Sequence, residues 1–262
     1  MNVLFVTIND NQYLPALFDK VFKNKQPADN YKVLLTRPLY KNESFFRMVL
    51  KYYNTFGFLE FSRFSLSMIR LTLFDFISQK KGMGSSFSVE GVSKLHGVSV
   101  LKTNKDVNNE EIINKIKELN IDLVISIACP HLFKETLIST PPKGCLNLHG
   151  SPLPRYRGVL PSFWMLKNEE KKAFNTVFFI NKVIDGGDIL IQQSFPIEKN
   201  DTLHSLISRS KIFAADVINE SIKLVKNGNY KVHVIDPSDG SYFGWPSKED
   251  VHQFHSVGRK LR

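Results

Sequence analysis

Apolar residues fall along the chain in two periods, near-continuous short runs and helical stripes, and the two alternate. Asn2 to Thr7 is an apolar run that ends in the polar turn Asn9-Asp10-Asn11, and it reads as a buried strand. An amphipathic helix is predicted around Leu14 to Phe22, and Tyr31 to Thr36 supplies a second strand. This opening is βαβ, which implies a right-handed crossover in a parallel sheet. Ser99 to Leu101 predicts a short strand. Asn109 to Leu119 places Ile112, Ile113, Ile116 and Leu119 on one helical face, and Ile121 to Ala128 is a run suited to a central strand covered on both sides. A helix or turn follows Pro130 through Leu137, then a strand from Cys145 to Leu148 and the start of a helix at Phe163 to Leu166. Two later strands, Thr176 to Ile180 and Ile189 to Phe195, flank the turn Asp185-Gly186-Gly187-Asp188. A long helix is expected from Thr202, capped by Asp201, to the stop signal Asn227-Gly228. Tyr230 to Ile235 reads as strand-like, Pro237 to Gly240 as a turn, and Ser247 as the start of a last helix.

Residues 43–81 break the alternation. They hold eight of the 21 phenylalanines, interleaved with Arg47, Lys51, Arg63 and Arg70, a pattern explained by two helices meeting near Gly57. The plain expectation is an insertion that packs an aromatic face on the main sheet or on a second subunit. The sharper one is a basic, aromatic surface in peripheral contact with a membrane or a lipid-linked substrate. Gly82 to Ser88 is a solvated connection or a mobile cover over a site. No internal repeat is present.

Composition narrows the function classes. With 262 residues, 42% of them hydrophobic, the chain can bury a large core, and its net charge of +10 favours an anionic partner. Zinc-finger spacing and dense basic blocks are absent, and Arg259 to Arg262 reads as a solvated tail, so nucleic acid is not expected as the principal substrate. The only cysteines, Cys129 and Cys145, sit in or beside apolar strands, which suits a reduced, cytoplasmic protein and no metal site. The chain begins directly as a strand with no secretion signal, and no run reaches the roughly 18 apolar residues of a membrane span. The first turn lacks glycine, which excludes a G-x-G-x-x-G dinucleotide loop and a P-loop.

The chemistry concentrates in Gly144 to Gly158. Asn147 and His149, two apart on a strand, project from one face, and Ser151-Pro152-Leu153-Pro154 then breaks the strand, placing the pair at a strand end. An amide N–H and an imidazolium suit the oxyanion of an acyl transfer, and an Asp185 carboxylate folded back beside them would relay the amine's proton. No metal or covalent nucleophile is required. Taken alone, N-x-H also occurs with a structural histidine and D-G-G with an ordinary turn.

The full text N-L-H-G-S-P-L-P-R-Y-R-G, followed by V-I-D-G-G-D-I-L-I-Q, resembles the 10-formyltetrahydrofolate-dependent formyltransferases, over about Ile121 to Ile197. The resemblance implies an α/β fold with a Rossmann-like, mostly parallel sheet, here with a helical aromatic insertion and a short C-terminal extension. It implies a catalytic core over residues 1–200, with the helix and tail of 201–262 packed on it. It further implies that an amine attacks the formyl carbon of the folate while Asn147 and His149 stabilise the oxyanion and Asp185 holds His149. By the same resemblance Pro130, His131, Leu132 and Phe133, with Asn181, Lys182, Val183 and Ile184, form the pterin pocket. The family commonly has S-L-L-P where this chain has S-P-L-P.

Three departures bear on the acceptor. The turn Thr7 to Gln12 lacks the glycines with which glycinamide ribonucleotide enzymes cradle phosphate. About thirty-five residues follow the long helix, too few for the barrel of methionyl-tRNA enzymes. The nucleotide-sugar branch carries a short C-terminal addition, and its amino-sugar nucleotide suits the basic charge. Arg155 and Arg157 are expected to meet phosphates or brace their loop, and Tyr242, Phe243 and Trp245 to stack on a base or sugar or else close the core. Alternative readings are formylation of an amino acid, hydroxyornithine or glycinamide ribonucleotide, and a catalytically silent folate-binding relative. A homodimer is the default assembly.

Overall fold

The computed structural model describes residues 1–37, 44–80 and 84–262. Its strands are β1 (Asn2–Ile8), β2 (Asn30–Thr36), β3 (Ser99–Lys102), β4 (Leu123–Ile127), β5 (Cys145–His149), the short β6 (Arg157–Gly158), β7 (Lys172–Phe179), β8 (Ile189–Pro196) and the short β9 (Tyr242–Phe243). The helices are α1 (Leu14–Lys23), α2 (Phe45–Lys80), α3 (Val89–Leu95), α4 (Glu110–Glu118), α5 (Glu135–Ile138), α6 (Pro161–Lys167), α7 (Leu203–Asn227) and α8 (Lys248–Ser256).

Seven strands form one sheet in the order β3-β2-β1-β4-β5-β7-β8. The first five run parallel; β7 is antiparallel to β5, and β8 to β7. The expected α/β, mostly parallel architecture is therefore present. Chain order reverses between β1 and β4, and in such sheets ligands settle beyond the carboxyl ends of the strands near that reversal. The carboxyl end of β5, with Asn147 and His149, lies one strand away from it.

Both faces of the sheet are covered, which is why β4 is buried at every position. On one face Leu146 and Leu148 join Phe5, Phe18, Val92 and Ile218 from β1, α1, α3 and α7. Phe5 meets the rings of Phe18 and Tyr31 edge-on at 5.7 and 5.3 Å. On the other face Cys145 joins Leu4, Val124, Ile113 and Ile116 beneath α4. Alternation along β5 thus directs Asn147 and His149 to the α4 side. A third cluster, with Phe163 stacked on Phe254 at 4.8 Å, ties α6 and α8 to the sheet through Leu206 of α7.

Three local expectations are corrected. The side chain that caps α7 is Thr202, not Asp201: Thr202 and Ser205 form a reciprocal capping box, and Asp201 stands outside it. Tyr230 to Ile235 is not a strand; it contributes one isolated bridge, His233 to Ile189. Its alternate side chains are half exposed, Val234 by 71%, so no face of it is covered as a strand requires. Helix α3, begun by Ser88 accepting from the Gly91 N–H, is an element that the pattern did not predict. The break at Gly57 (φ 80, ψ 173) inside α2 lies where two helices were expected to meet, while residues 43 and 81, and Gly82 and Met83 of the expected cover loop, lie outside the described residues.

Asp201 ties the loop before α7 together. Its buried carboxylate accepts from the Glu198 N–H at 2.8 Å and Ser205 Oγ at 2.9 Å and pairs with Arg209. Burial pushes this carboxyl up, but the Glu198 N–H, Arg209 and Ser205 together hold it below the usual carboxylate range. A depressed folded value stabilises the protein above the unfolded value of about 3.9, and that stabilisation is lost as pH falls through the folded value. Asp201→Ala is expected to cost about 1–2 kcal/mol at neutral pH. Urea unfolding from pH 7 downward should show the variant and the parent converging in acid; a constant gap across the range would refute the assignment.

Candidate functional site

Asn147 of β5 faces a cleft of about 150 Å³ lined on its β-sheet side by Ser126, Asn147, Phe178 and Ile180. Ser126 of β4 and Phe178 of β7 are the register partners of Asn147. The chain leaves β4 through Ala128 in a left-handed conformation (φ +52), and Cys129, His131, Leu132 and Phe133 then form another wall. Asn181 to Asp185 form the remaining one.

Ser151 to Gly158 is stapled to the neighbouring strands. Thr176 Oγ1 donates to the Ser151 carbonyl at 2.6 Å, Gln192 Nε2 to the Leu153 carbonyl at 3.1 Å, and Ser151 Oγ to the Arg155 carbonyl at 3.0 Å. The two prolines of this turn have no N–H to lose, so its carbonyls carry the attachment. The turn delivers the Tyr156 carbonyl to 2.9 Å from His149 Nε2. A carbonyl only accepts, so Nε2 carries a proton and Nδ1 is the nitrogen left for other work.

His149 Nδ1 stands 3.8 Å from Asp185 Oδ1, an ion-pair separation rather than a hydrogen bond. The other carboxylate oxygen, Asp185 Oδ2, accepts from the Gly158 N–H at 2.9 Å. Asp185 itself is left-handed (φ +50), a conformation that costs a non-glycine residue energy and persists where surroundings enforce it. Two contacts enforce it. Gly187 passes so close to Phe179 that a Cβ would lie 1.7 Å from the Phe179 carbonyl oxygen, and Arg157 donates to the carbonyls of Ile184 at 3.2 Å and Pro237 at 3.0 Å. Gly158 (φ +98) is equally constrained, since a Cβ would meet the Phe243 carbonyl oxygen at 2.2 Å where β6 pairs with β9.

Asn147, His149 and Asp185 are brought together. Of the eight residues expected around a pterin, seven line the cleft, and Pro130 does not. His131 is buried there with neither ring nitrogen hydrogen-bonded among the described residues, 3.7 Å from Asp106. Arg155 is engaged with Glu170 at 3.2 Å, and Arg157 braces the Asp185 loop. Phe243 is held between Trp164 at 4.7 Å and Tyr156 at 5.3 Å, and Trp245 donates to Thr55 Oγ1 at 2.9 Å while its ring meets Phe56. Tyr242 is the exposed member of that trio.

Ser126, Cys129, Phe178 and Ile180 line the cleft without having been expected there. Ser126 did leave a signal, a lone hydroxyl inside an apolar run. The Tyr156 carbonyl and Gly158 N–H left none, because backbone groups carry no residue identity. Burial pushes the Cys129 thiol up to about 11 and the Cys145 thiol to about 12, so neither supplies a thiolate nucleophile at neutral pH. No cluster of metal-ligating side chains occurs among the described residues. A larger cavity of about 800 Å³ between α4 and β1 to β3 is lined by none of the three residues.

A methionyl-tRNA formyltransferase of Caldanaerobacter subterraneus is 35% identical over 149 residues, 56% of this chain and 48% of the relative. Another, from Ruminiclostridium cellulolyticum, is 31% identical over 190 residues, 68% of this chain and 61% of the relative. The chain thus spans about half to three fifths of the length of these curated relatives. Among solved structures, a sugar N-formyltransferase from Shewanella sp FDAARGOS_354 superposes with a TM-score of 0.57 at 21% identity, covering 93% of this chain and 76% of that one. A glycinamide ribonucleotide transformylase from Symbiobacterium toebii gives a TM-score of 0.59 at 16% identity, covering 90% and 94%. At such identities the likeness is one of fold. The profile described as formyl transferase matches residues 76–222, which contain β4 to β8 and every residue of the Asn147, His149 and Asp185 constellation. With more than half its length matched, the chain belongs to the formyl transferase family.

Proposed function

We propose that the protein transfers a formyl group from 10-formyltetrahydrofolate to a primary amine carried by a nucleotide-linked amino sugar. The observation that carries the reaction class is that Asn147 and Asp185 line one cleft and His149 stands behind it, its Nδ1 3.8 Å from Asp185 Oδ1. The lining of the cleft suits the pterin end of the co-substrate. Leu132, Phe133, Phe178 and Ile180 offer apolar walls to a flat heterocycle, and His131, whose ring nitrogens make no hydrogen bond among the described residues, offers a polar partner for its edge.

The bound folate supplies an activated formyl group on N10; the acceptor amine bonds to the formyl carbon as the C–N10 bond breaks, giving a formamide and tetrahydrofolate. The amine loses one proton and N10 gains one. Asn147, whose side chain makes no hydrogen bond with a described residue, lines the cleft and would donate to the formyl oxygen as charge develops there. Nε2 of His149 is committed to Tyr156, so any proton His149 offers is on Nδ1. A group about 2.8 Å from both Nδ1 and Asp185 Oδ1 would span the 3.8 Å between them. An attacking amine in that position hydrogen-bonds to the carboxylate and can give up its proton to the pair.

The acceptor reading rests on charge and on the first turn. A net charge of +10 suits an anionic acceptor. Asp10 Oδ1 accepts from the N–H groups of Gln12, Tyr13 and Leu14 at 2.9, 2.6 and 2.8 Å, so the start of α1 already holds its own carboxylate where a glycinamide ribonucleotide phosphate would compete. A second reading, formylation of methionyl-tRNA, is favoured by the names of the curated relatives.

Incubation with 10-formyltetrahydrofolate and a panel of amines, read by mass gain, tests both. Amino-sugar nucleotides should gain one formyl group; gain on methionyl-tRNA alone selects the second reading, and gain on no amine refutes formyl transfer. His149→Ala and Asp185→Ala are expected to lower kcat at least about a hundredfold with the fold retained, and near-normal turnover in either would sink the constellation. Gly158→Ala should destabilise by about 1–3 kcal/mol and lower kcat beyond what the loss of folded protein explains. An unchanged kcat per folded molecule would show that the Gly158 N–H does not position Asp185.

A further inference from the structure

We propose that α2 seats the protein on an anionic lipid surface through the outer face of its second limb. Beyond the break at Gly57, the inner residues Phe61, Phe64, Met68 and Leu71 are partly buried, and Tyr52 of the first limb stacks on Phe64 at 4.9 Å. Asp75, buried, accepts from Ser88 Oγ at 2.7 Å and fixes the far end of the limb to the start of α3. Trp245 fixes the turn by its bond to Thr55. The limb is therefore anchored along one side.

The other side carries a second apolar face. Phe58, Leu59, Leu66, Ile69, Leu73, Phe76 and Ile77 are all exposed, between 46% and 69%. At 3.6 residues per turn they fall within an arc of about 100°. A surface helix ordinarily has one apolar stripe, turned to the core. This one has a stripe for the core and another of similar width turned to solvent. The first limb adds exposed Phe46, Leu50 and Tyr53 at helical spacing. Exposed apolar surface this continuous marks an interaction site.

Charge selects the occupant. Residues 44–80 contain five cations (Arg47, Lys51, Arg63, Arg70, Lys80) against Glu60 and Asp75. Both acids are internally engaged, Glu60 with Arg63 at 2.8 Å and Asp75 with Ser88 and Gln79. Arg63 and Arg70 border the outer arc about 20–40° beyond its edge, and Lys80 lies within it at the end. A second copy would bring like charges together across such a face, whereas anionic headgroups meet the cations while acyl chains receive the apolar side chains. No described helix is long and apolar enough to cross a membrane, so the contact is interfacial.

The test is co-sedimentation of the full chain with vesicles of equal parts phosphatidylglycerol and phosphatidylcholine, and with phosphatidylcholine alone. Binding is expected to the anionic vesicles, weakened by salt, and reduced about tenfold or more in Leu66→Glu/Ile69→Glu/Leu73→Glu. All three sites are exposed, and thermal unfolding reports whether the variant folds. Should it not fold, Arg47→Glu/Arg70→Glu is read instead and must lose binding to anionic vesicles. Failure of the parent to bind anionic vesicles, or undiminished binding by the variant that is read, overturns the proposal. So does a dimer in vesicle-free solution that the same substitutions convert to monomer, since a second copy would then own the face.

Discussion

The hydrogen bond from the Gly158 N–H to the Asp185 carboxylate is the contact on which the candidate site depends. Asp185 sits in a turn between two antiparallel strands, in a left-handed backbone conformation that carries a cost for a residue other than glycine. Without a fixed partner its carboxylate would be free to choose rotamers away from His149. Gly158 provides that partner only because β6 runs beside β9, where the close approach of Phe243 tolerates no side chain. Phe243, distant from both in the chain, thus constrains the Asp185 carboxylate through the Gly158 N–H.

The same segment explains why the aromatic tail is placed as it is. Phe243 lies between Tyr156 and Trp164, and Trp164 Nε1 donates to the carbonyls of Val159 at 3.1 Å and Gly244 at 3.3 Å. These contacts clamp β9 on β6. Trp245 meets α2 at Thr55 and Phe56, so the tail joins the loop that holds Asp185 to the turn of α2 at Gly57. Phe243 and Trp245 are thus engaged in packing, while Tyr242 is left exposed.

Much of the architecture was legible in the residues because burial imposes a period that hydropathy records. β4, buried on both faces, reads as a continuous run; α4 and α7 read as stripes. Where burial is slight the reading failed: Tyr230 to Ile235 has strand-like residues but only one bridge, and α3 is too short for its period to register. At the cleft, Asn147 and His149 were legible because strand alternation ties residues two apart to one side. Asp185 is legible as a carboxylate in a glycine turn that folds back beside them, a placing the resemblance supports, but its left-handed backbone is not.

Sequence by itself determined the strand and helix periods, the pairing of Asn147 with His149, the absence of glycine from the first turn, and the wealth of aromatic and basic residues in 44–80. Those are properties of neighbours along the chain, and local geometry translates them directly. Only the tertiary structure decided which nitrogen of His149 is free, what restrains Asp185, that Phe243 is spent on packing, and that α2 keeps an apolar face in solvent. Each of these turns on backbone groups or on surfaces brought together across long stretches of chain, and no residue's identity announces where its carbonyl, its N–H or its outer face will come to lie.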